Sequence, residues 1–116
     1  AGARIGVGTD AASPLNMHLE AMWREMSALV DSGMTPLQVI SAATKTNAEI
    51  LGLFGDRGSL EVGKRADMLI VQGNPLEDIN PLGNVAVVVK QGELWFTEGS
   101  TVAPVTRANF FGGGSR

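Results

Sequence analysis

Gly58-Ser59-Leu60-Glu61-Val62-Gly63-Lys64-Arg65-Ala66-Asp67 runs without a break into Met68-Leu69-Ile70-Val71. The first ten residues place two glycines around a charged turn, and the last four are an apolar run of strand length. The same punctuation continues downstream. Gly73, Pro75, Pro81 and Gly83 break the chain into short segments, and residues 85–89 (VAVVV) make a second apolar strand. Gln91-Gly92 then supplies a two-residue hairpin turn into a third strand at Leu94-Trp95-Phe96. Residues 54–105 therefore read as β-rich, with the strands at 66–71, 85–89 and 94–96. Lys64-Arg65 reads as a solvated turn.

Upstream the period changes. Leu19, Met22, Trp23, Met26, Leu29 and Val30 recur at helical spacing, with Glu20, Arg24, Ser27 and Asp31 on the opposite face. Glu20 and Arg24 stand four apart in the favourable order for an ion pair on a helix surface. Gly33 is placed to stop this helix in a left-handed conformation. A second helix begins at once: Thr35 is its N-cap, Pro36 its first residue, Gln38 the partner in a capping box, and Met34 with Val39 a hydrophobic staple. Leu37, Ile40, Ala43 and Ala48 mark its buried stripe, with a restart at Thr46-x-x-Glu49, and Gly52 ends it. Trp23 and the helix methionines are a core face, not a cofactor surface. At the N-terminal end, Ile5 and Val7 alternate within residues 4–8, which read as a short strand packed closely against its neighbours through the flanking glycines. That strand runs into Gly8-Thr9-Asp10-Ala11.

Composition sets the class. The 116 residues suffice for one domain, and 44% apolar with 18% charged is ordinary for a soluble globular protein. A membrane span takes roughly 20 apolar residues, and no run here approaches that length. No signal peptide is visible, and the absence of cysteine excludes disulfides and thiolate metal sites; both fit a cytoplasmic location. A net charge of −3 with no basic cluster argues against nucleic acid as a partner. The first residue is not Met, which suggests a chain cut, processed or excerpted from a longer one, and residues 106–116, ending Gly-Gly-Gly-Ser-Arg, read as a flexible tail.

Asp10 is the residue that suggests chemistry. A carboxylate just past the C-terminal end of a strand stands where α/β barrels and open sheets keep their reacting groups. An Asp capping a turn is the commoner use of that local pattern. Thr9 and Ser13 are candidates to orient it by hydrogen bonds and are equally ordinary turn residues. His18, eight residues on, reads locally as a surface histidine near a helix start.

Read in order, a strand ending Gly8-Thr9-Asp10-Ala11, an amphipathic helix, the Thr35-Pro36-Leu37 helix, residues 58–67, Gly73-Asn74-Pro75-Leu76 and Lys90-Gln91-Gly92-Glu93 together resemble the C-terminal end of the amidohydrolase superfamily. The similarity is greatest to its imidazolonepropionase-like and Xaa-Pro dipeptidase-like branch, and it covers about residues 1–97. It implies a fold of two parts: residues 1–53 as the last strand and covering helices of a metallo-dependent hydrolase α/β barrel, and 54–105 as part of a small composite β-sandwich. It implies that Asp10 is both a metal ligand and the catalytic carboxylate that takes a proton from metal-bound water, that His18 borders the substrate mouth as a substrate contact, and that Asp67 is a structural residue that stabilises the turn after Gly63. The family's other ligands, a His-x-His pair, a carboxylated Lys or Glu, and two later histidines, have no counterpart among these residues.

The implied activity is metal-dependent hydrolysis of amide or cyclic-amide C–N bonds. The intact enzyme is expected to use a divalent metal, with zinc the expected ion, and the isolated chain to hold none and to be inactive. The alternative is a non-catalytic folded module or truncated gene product that associates with itself or another chain. Expected partners are the N-terminal part of the enzyme and a second copy of the chain, with no nucleic acid and no membrane.

Overall fold

The computed structural model describes residues 2–11 and 21–97. Three short helical elements come first: α1 (Ala21–Asp31), α2 (Pro36–Ser41) and α3 (Asn47–Ile50), the last two joined by a π-helical turn at Ala42–Thr46. A three-stranded antiparallel sheet follows: β1 (Met68–Val71), β2 (Val85–Lys90) and β3 (Glu93–Thr97), in the order β1-β2-β3.

Local chemistry explains the helix boundaries. At the end of α1, Gly33 N–H donates to Val30 C=O at 2.9 Å and Met34 N–H to Leu29 C=O at 3.1 Å. This paired closure needs a residue with positive φ, and Gly33 has φ 108°. The capping box forms as the sequence indicates: Gln38 N–H donates to Thr35 Oγ1 at 3.2 Å, and Thr35 N–H to Gln38 Oε1 at 2.8 Å. Gly52, at φ 72°, closes α3 in the same manner as Gly33, with Leu53 N–H on Ala48 C=O at 2.7 Å.

The restart expected at Thr46 does not occur. Thr46 is helical, with φ −65° and ψ −40°, and its side chain caps nothing. The helix instead widens by one residue, a π turn of the kind found disproportionately at functional sites.

The buried stripe also differs from expectation. Val39 is fully buried and Ala42 nearly so, whereas Leu37 is 59% exposed. Val39 and Ala42 point at Met26 of α1 and at Val7, with Leu29, Val30, Met34 and Ile40 packed around them. Leu37 lies on the other side with Ile5, around an opening of about 570 Å³. On α1, Met26 is buried as expected but Met22 is 47% exposed. Leu19 and Glu20 lie outside the described residues.

The sheet follows the sequence closely. Gln91 (φ 54°) and Gly92 (φ 78°) both take positive φ, the pattern of a type I′ turn, and Lys90 pairs with Glu93 across it. β1 begins at Met68, two residues later than expected, because Ala66 and Asp67 are engaged elsewhere. Ala66 C=O accepts from Gly92 N–H at 3.0 Å, and the Asp67 carboxylate accepts from Gln91 N–H at 2.8 Å. Asp67 is thus structural, as expected: its carboxylate meets Arg65 Nε of the turn after Gly63 at 3.4 Å, and it also holds the hairpin of β2 and β3.

Lys64 departs most from its sequence reading. Its side chain is only 10% exposed, with Nζ 3.5 Å from the centroid of the Phe54 ring, 2.8 Å from Ser59 Oγ and 3.4 Å from Glu61 Oε2. The loop carrying it is fastened to the helices at Gly58, whose added Cβ would stand 2.6 Å from Ala48 Cβ. The sheet side reaches the helical core through Ile79, 4% exposed, and through Gly83, which lies flat against Trp23. Trp23 therefore serves packing.

Among the described residues the β-rich part is one sheet, and it leaves much apolar surface uncovered. Leu69 and Ile70 on β1 and Leu94 on β3 are about half exposed, and Leu60 more so.

Candidate active site

Residues 4–8 are the segment that delivers Asp10. They were expected to be a strand, and they carry no strand ladder: no neighbouring strand among the described residues is available to pair with them. A lone extended segment has unpaired backbone groups that must find other partners. Here the partner is a side chain. Val7 N–H donates to Asn47 Oδ1 at 3.0 Å, and Asn47 Nδ2 donates to Val7 C=O at 2.8 Å. The carboxamide thus presents one acceptor and one donor to a single residue, as an adjacent strand would.

Two features make this contact possible. Asn47 follows the π turn, and its backbone N–H is directed to Ala42 C=O and Thr44 C=O. Ala43 C=O, the usual α-helical acceptor for residue 47, is reached by Asn47 Nδ2 at 3.5 Å instead. On the facing segment, Gly6 leaves the space that Asn47 fills: a Cβ at Gly6 would overlap Asn47 Oδ1 and stand 3.1 Å from Ile50 Cδ1. Val7 itself is 8% exposed and belongs to the core cluster.

Three residues beyond Val7, Asp10 is exposed and has φ 46°. Asp and Asn are among the few non-glycine residues that enter the left-handed region, and such backbone persists where surrounding structure holds it. Thr9 beside it is half-buried. Ser13 and His18 lie outside the described residues. Among the described residues no three His, Cys, Asp or Glu side chains gather closely enough to hold a metal ion. Asp10 offers oxygen donors from one side chain, and a catalytic zinc takes about three protein ligands, so these residues alone do not make a metal centre.

Other features of the structure lie apart from Asp10. The larger cavity, about 940 Å³ between the helices and the sheet, is mostly apolar, and none of residues 4–11 lines it. Asp56 is held below the ordinary carboxylate range by its hydrogen bond from Arg57, an exposed pair on the loop after α3. No helix among the described residues is long and apolar enough to cross a membrane.

Asn47 is the site residue that sequence reading missed. Its signals were an asparagine inside a helix, where that residue is unfavourable unless its side chain has a use, and a glycine inside a strand, which marks close approach of another group. Neither signal names the other.

The chain is similar to several known proteins. Among solved structures, a Xaa-Pro dipeptidase with bound methionine in its active site is 40% identical, with a TM-score of 0.75, over 81% of this chain and 22% of that one. Imidazolonepropionase of Symbiobacterium thermophilum is 40% identical over 62% of this chain and 18% of its own length. The 5'-deoxyadenosine deaminase of Methanobrevibacter smithii is 31% identical over 60% of this chain and 18% of its own. The chain thus spans about a fifth of the length of the relatives it matches. The segment ending at Asp10, the helices that clamp it and all but the last two residues of the hairpin beyond fall within residues 1–95, which match the Amidohydrolase family, and the chain belongs to that family.

Proposed function

We propose that this chain is the C-terminal portion of a metal-dependent hydrolase that cleaves amide or cyclic-amide C–N bonds. In this reading, residues 1–53 are the last strand and covering helices of an α/β barrel, and 54–105 are part of a composite β-sandwich. The observation that carries it is the delivery of Asp10: a carboxylate at the end of an extended segment, fixed by a covering helix, in a chain that matches the Amidohydrolase family over residues 1–95.

Asp10 is then the carboxylate that accepts a proton from the attacking water and returns it to the departing nitrogen, and general acid–base transfer of this kind contributes about 10² to 10⁴ in rate. It is also one oxygen ligand of a divalent metal, zinc being our choice. The remaining ligands come from sequence outside these residues, and the 116-residue chain by itself holds no stoichiometric metal and hydrolyses no amide. His18 is proposed as a minor substrate contact.

The uncovered apolar surface on β1 and around Ile5 and Leu37 supports contact with the rest of the enzyme, or pairing with a second copy when that is absent. The chemistry of the relatives ranges over a dipeptidase, an imidazolonepropionase and a deaminase, so the test begins with a panel. The full-length protein is assayed on Met-Pro, imidazolonepropionate and 5'-deoxyadenosine, with Met-Pro expected to be the best substrate. Asp10→Asn keeps the shape and tolerates the positive φ but removes the proton acceptor, so turnover should fall by several orders of magnitude with the fold intact. Near wild-type turnover in Asp10→Asn would refute the assignment.

A further inference from the structure

We propose that Asn47 is a positioning residue that fixes where and in what orientation Asp10 is presented. The inference rests on the reading of Asp10 given above, and its test separates the two.

The argument starts from what holds residues 4–10. Packing of the Val7 side chain against Met26, Val39 and Ala42 sets how deep the segment sits. An apolar contact is non-directional, and it restrains sliding along the segment and rotation of the peptide planes only weakly. The two hydrogen bonds from the Asn47 carboxamide supply that restraint, because they engage the N–H and the C=O of the same residue at 3.0 and 2.8 Å. Rotation of either peptide plane breaks one of them. The chain then needs only three more residues to reach Asp10, a span of at most about 10 Å, so a tilt at Val7 passes directly to the carboxylate. The positive φ at Asp10 has the same implication, since that conformation must be held by what precedes and follows it.

Asn47 is itself held in place. Its Nδ2 also meets Ala43 C=O, and the widened turn before it directs its backbone N–H elsewhere. The missing Cβ at Gly6 gives the carboxamide its access. Four separate features, Gly6, the π turn, the Ala43 carbonyl and the asparagine, thus converge on one residue of the segment that carries Asp10.

A purely structural clamp would support stability and leave catalysis alone, so the experiment reads both. In the full-length protein, Asn47→Ala removes both hydrogen bonds, and Asn47→Asp keeps the acceptor for Val7 N–H but loses the donor to Val7 C=O. With Met-Pro as the probe, both variants should lower kcat at least tenfold with KM within about threefold. In Asn47→Ala, amide hydrogen exchange should accelerate at least tenfold at Val7 and also at Thr9 and Asp10, while Val39 in α2 stays protected. Thr35→Ala, which loosens the same helix at its far end, should leave kcat unchanged.

Gly6→Ala, which forces the carboxamide aside, should reproduce the loss. The double variant Gly6→Ala/Asn47→Ala should be no worse than Asn47→Ala alone, since the clash has gone. Unchanged kcat in the Asn47 variants overturns the proposal, as does a kcat loss in Thr35→Ala of the same size. Faster exchange confined to Val7 overturns it too, and this readout needs no substrate. If Asn47→Ala does not fold, Asn47→Asp decides. Wild-type turnover in Asp10→Asn refutes the reading of Asp10 itself, whatever the Asn47 variants do.

Discussion

Lys64→Met tests the largest local departure from the sequence reading, a lysine drawn into contact with an aromatic ring. Methionine keeps the apolar stem and removes the ammonium, so the loss isolates the head-group contacts. Nζ lies 3.5 Å from the Phe54 centroid with the side chain 10% exposed; a largely desolvated cation–π contact contributes roughly 1–2 kcal/mol. The hydrogen bond to Ser59 Oγ at 2.8 Å involves a charged donor and adds about 1.5 kcal/mol. The Glu61 carboxylate is mostly solvated and adds only about 0.3 kcal/mol. Relief of the ammonium's desolvation offsets part of this sum, and the net expected loss is about 2 kcal/mol. Urea unfolding of the chain measures it as a lower midpoint at unchanged slope, and urea is preferred to guanidinium because it leaves charges unscreened. A double-mutant cycle with Phe54→Leu should return a coupling of about 1 kcal/mol. A Lys64→Met loss below about 0.5 kcal/mol, the scatter of ordinary surface substitutions, or a coupling near zero would show the ammonium to be solvated.

At the junction of the first two helices, Thr35→Ala should cost about 1 kcal/mol through loss of the capping box, and Gly33→Val should cost more, because φ 108° is closed to a β-branched residue; thermal melts check both. The chain purified alone should carry no stoichiometric zinc by elemental analysis, and stoichiometric metal there would refute the single-ligand assignment. Sedimentation at high concentration should show a dimer or larger species, by pairing through the uncovered surface around Ile5 and Leu37 or the β1 face, and a clean monomer would refute this.

Much of the architecture was legible because it is encoded locally. The capping box of Thr35 and Gln38, the glycine closures at Gly33 and Gly52, and the Gln91-Gly92 turn each depend on two to six neighbouring residues, so side-chain chemistry within one turn decides them. The strands of the sheet were visible for the same reason: β-branched runs between turn residues leave few alternatives. Asp10 was legible as a candidate from its place after residues 4–8 and from the order of motifs around it.

What the sequence did not determine are the contacts between positions far apart in the chain. Nothing local to Asn47 states that its carboxamide will meet Val7 forty residues away, or that Gly6 is there to admit it. Helical periodicity put Leu37 in the buried stripe and left Val39 to a staple; the placement of α1 and of Val7 decided that Val39 is buried and Leu37 is not. Lys64 looked solvated because its charge is local information, while the ring that covers it comes from Phe54 across a folded loop. Asp67 likewise found its partner at Gln91, on the hairpin that folding brings alongside. Hydrogen-bond and packing patterns within a turn are written in adjacent residues; the direction in which a side chain finds its distant partner is fixed only when the elements have packed.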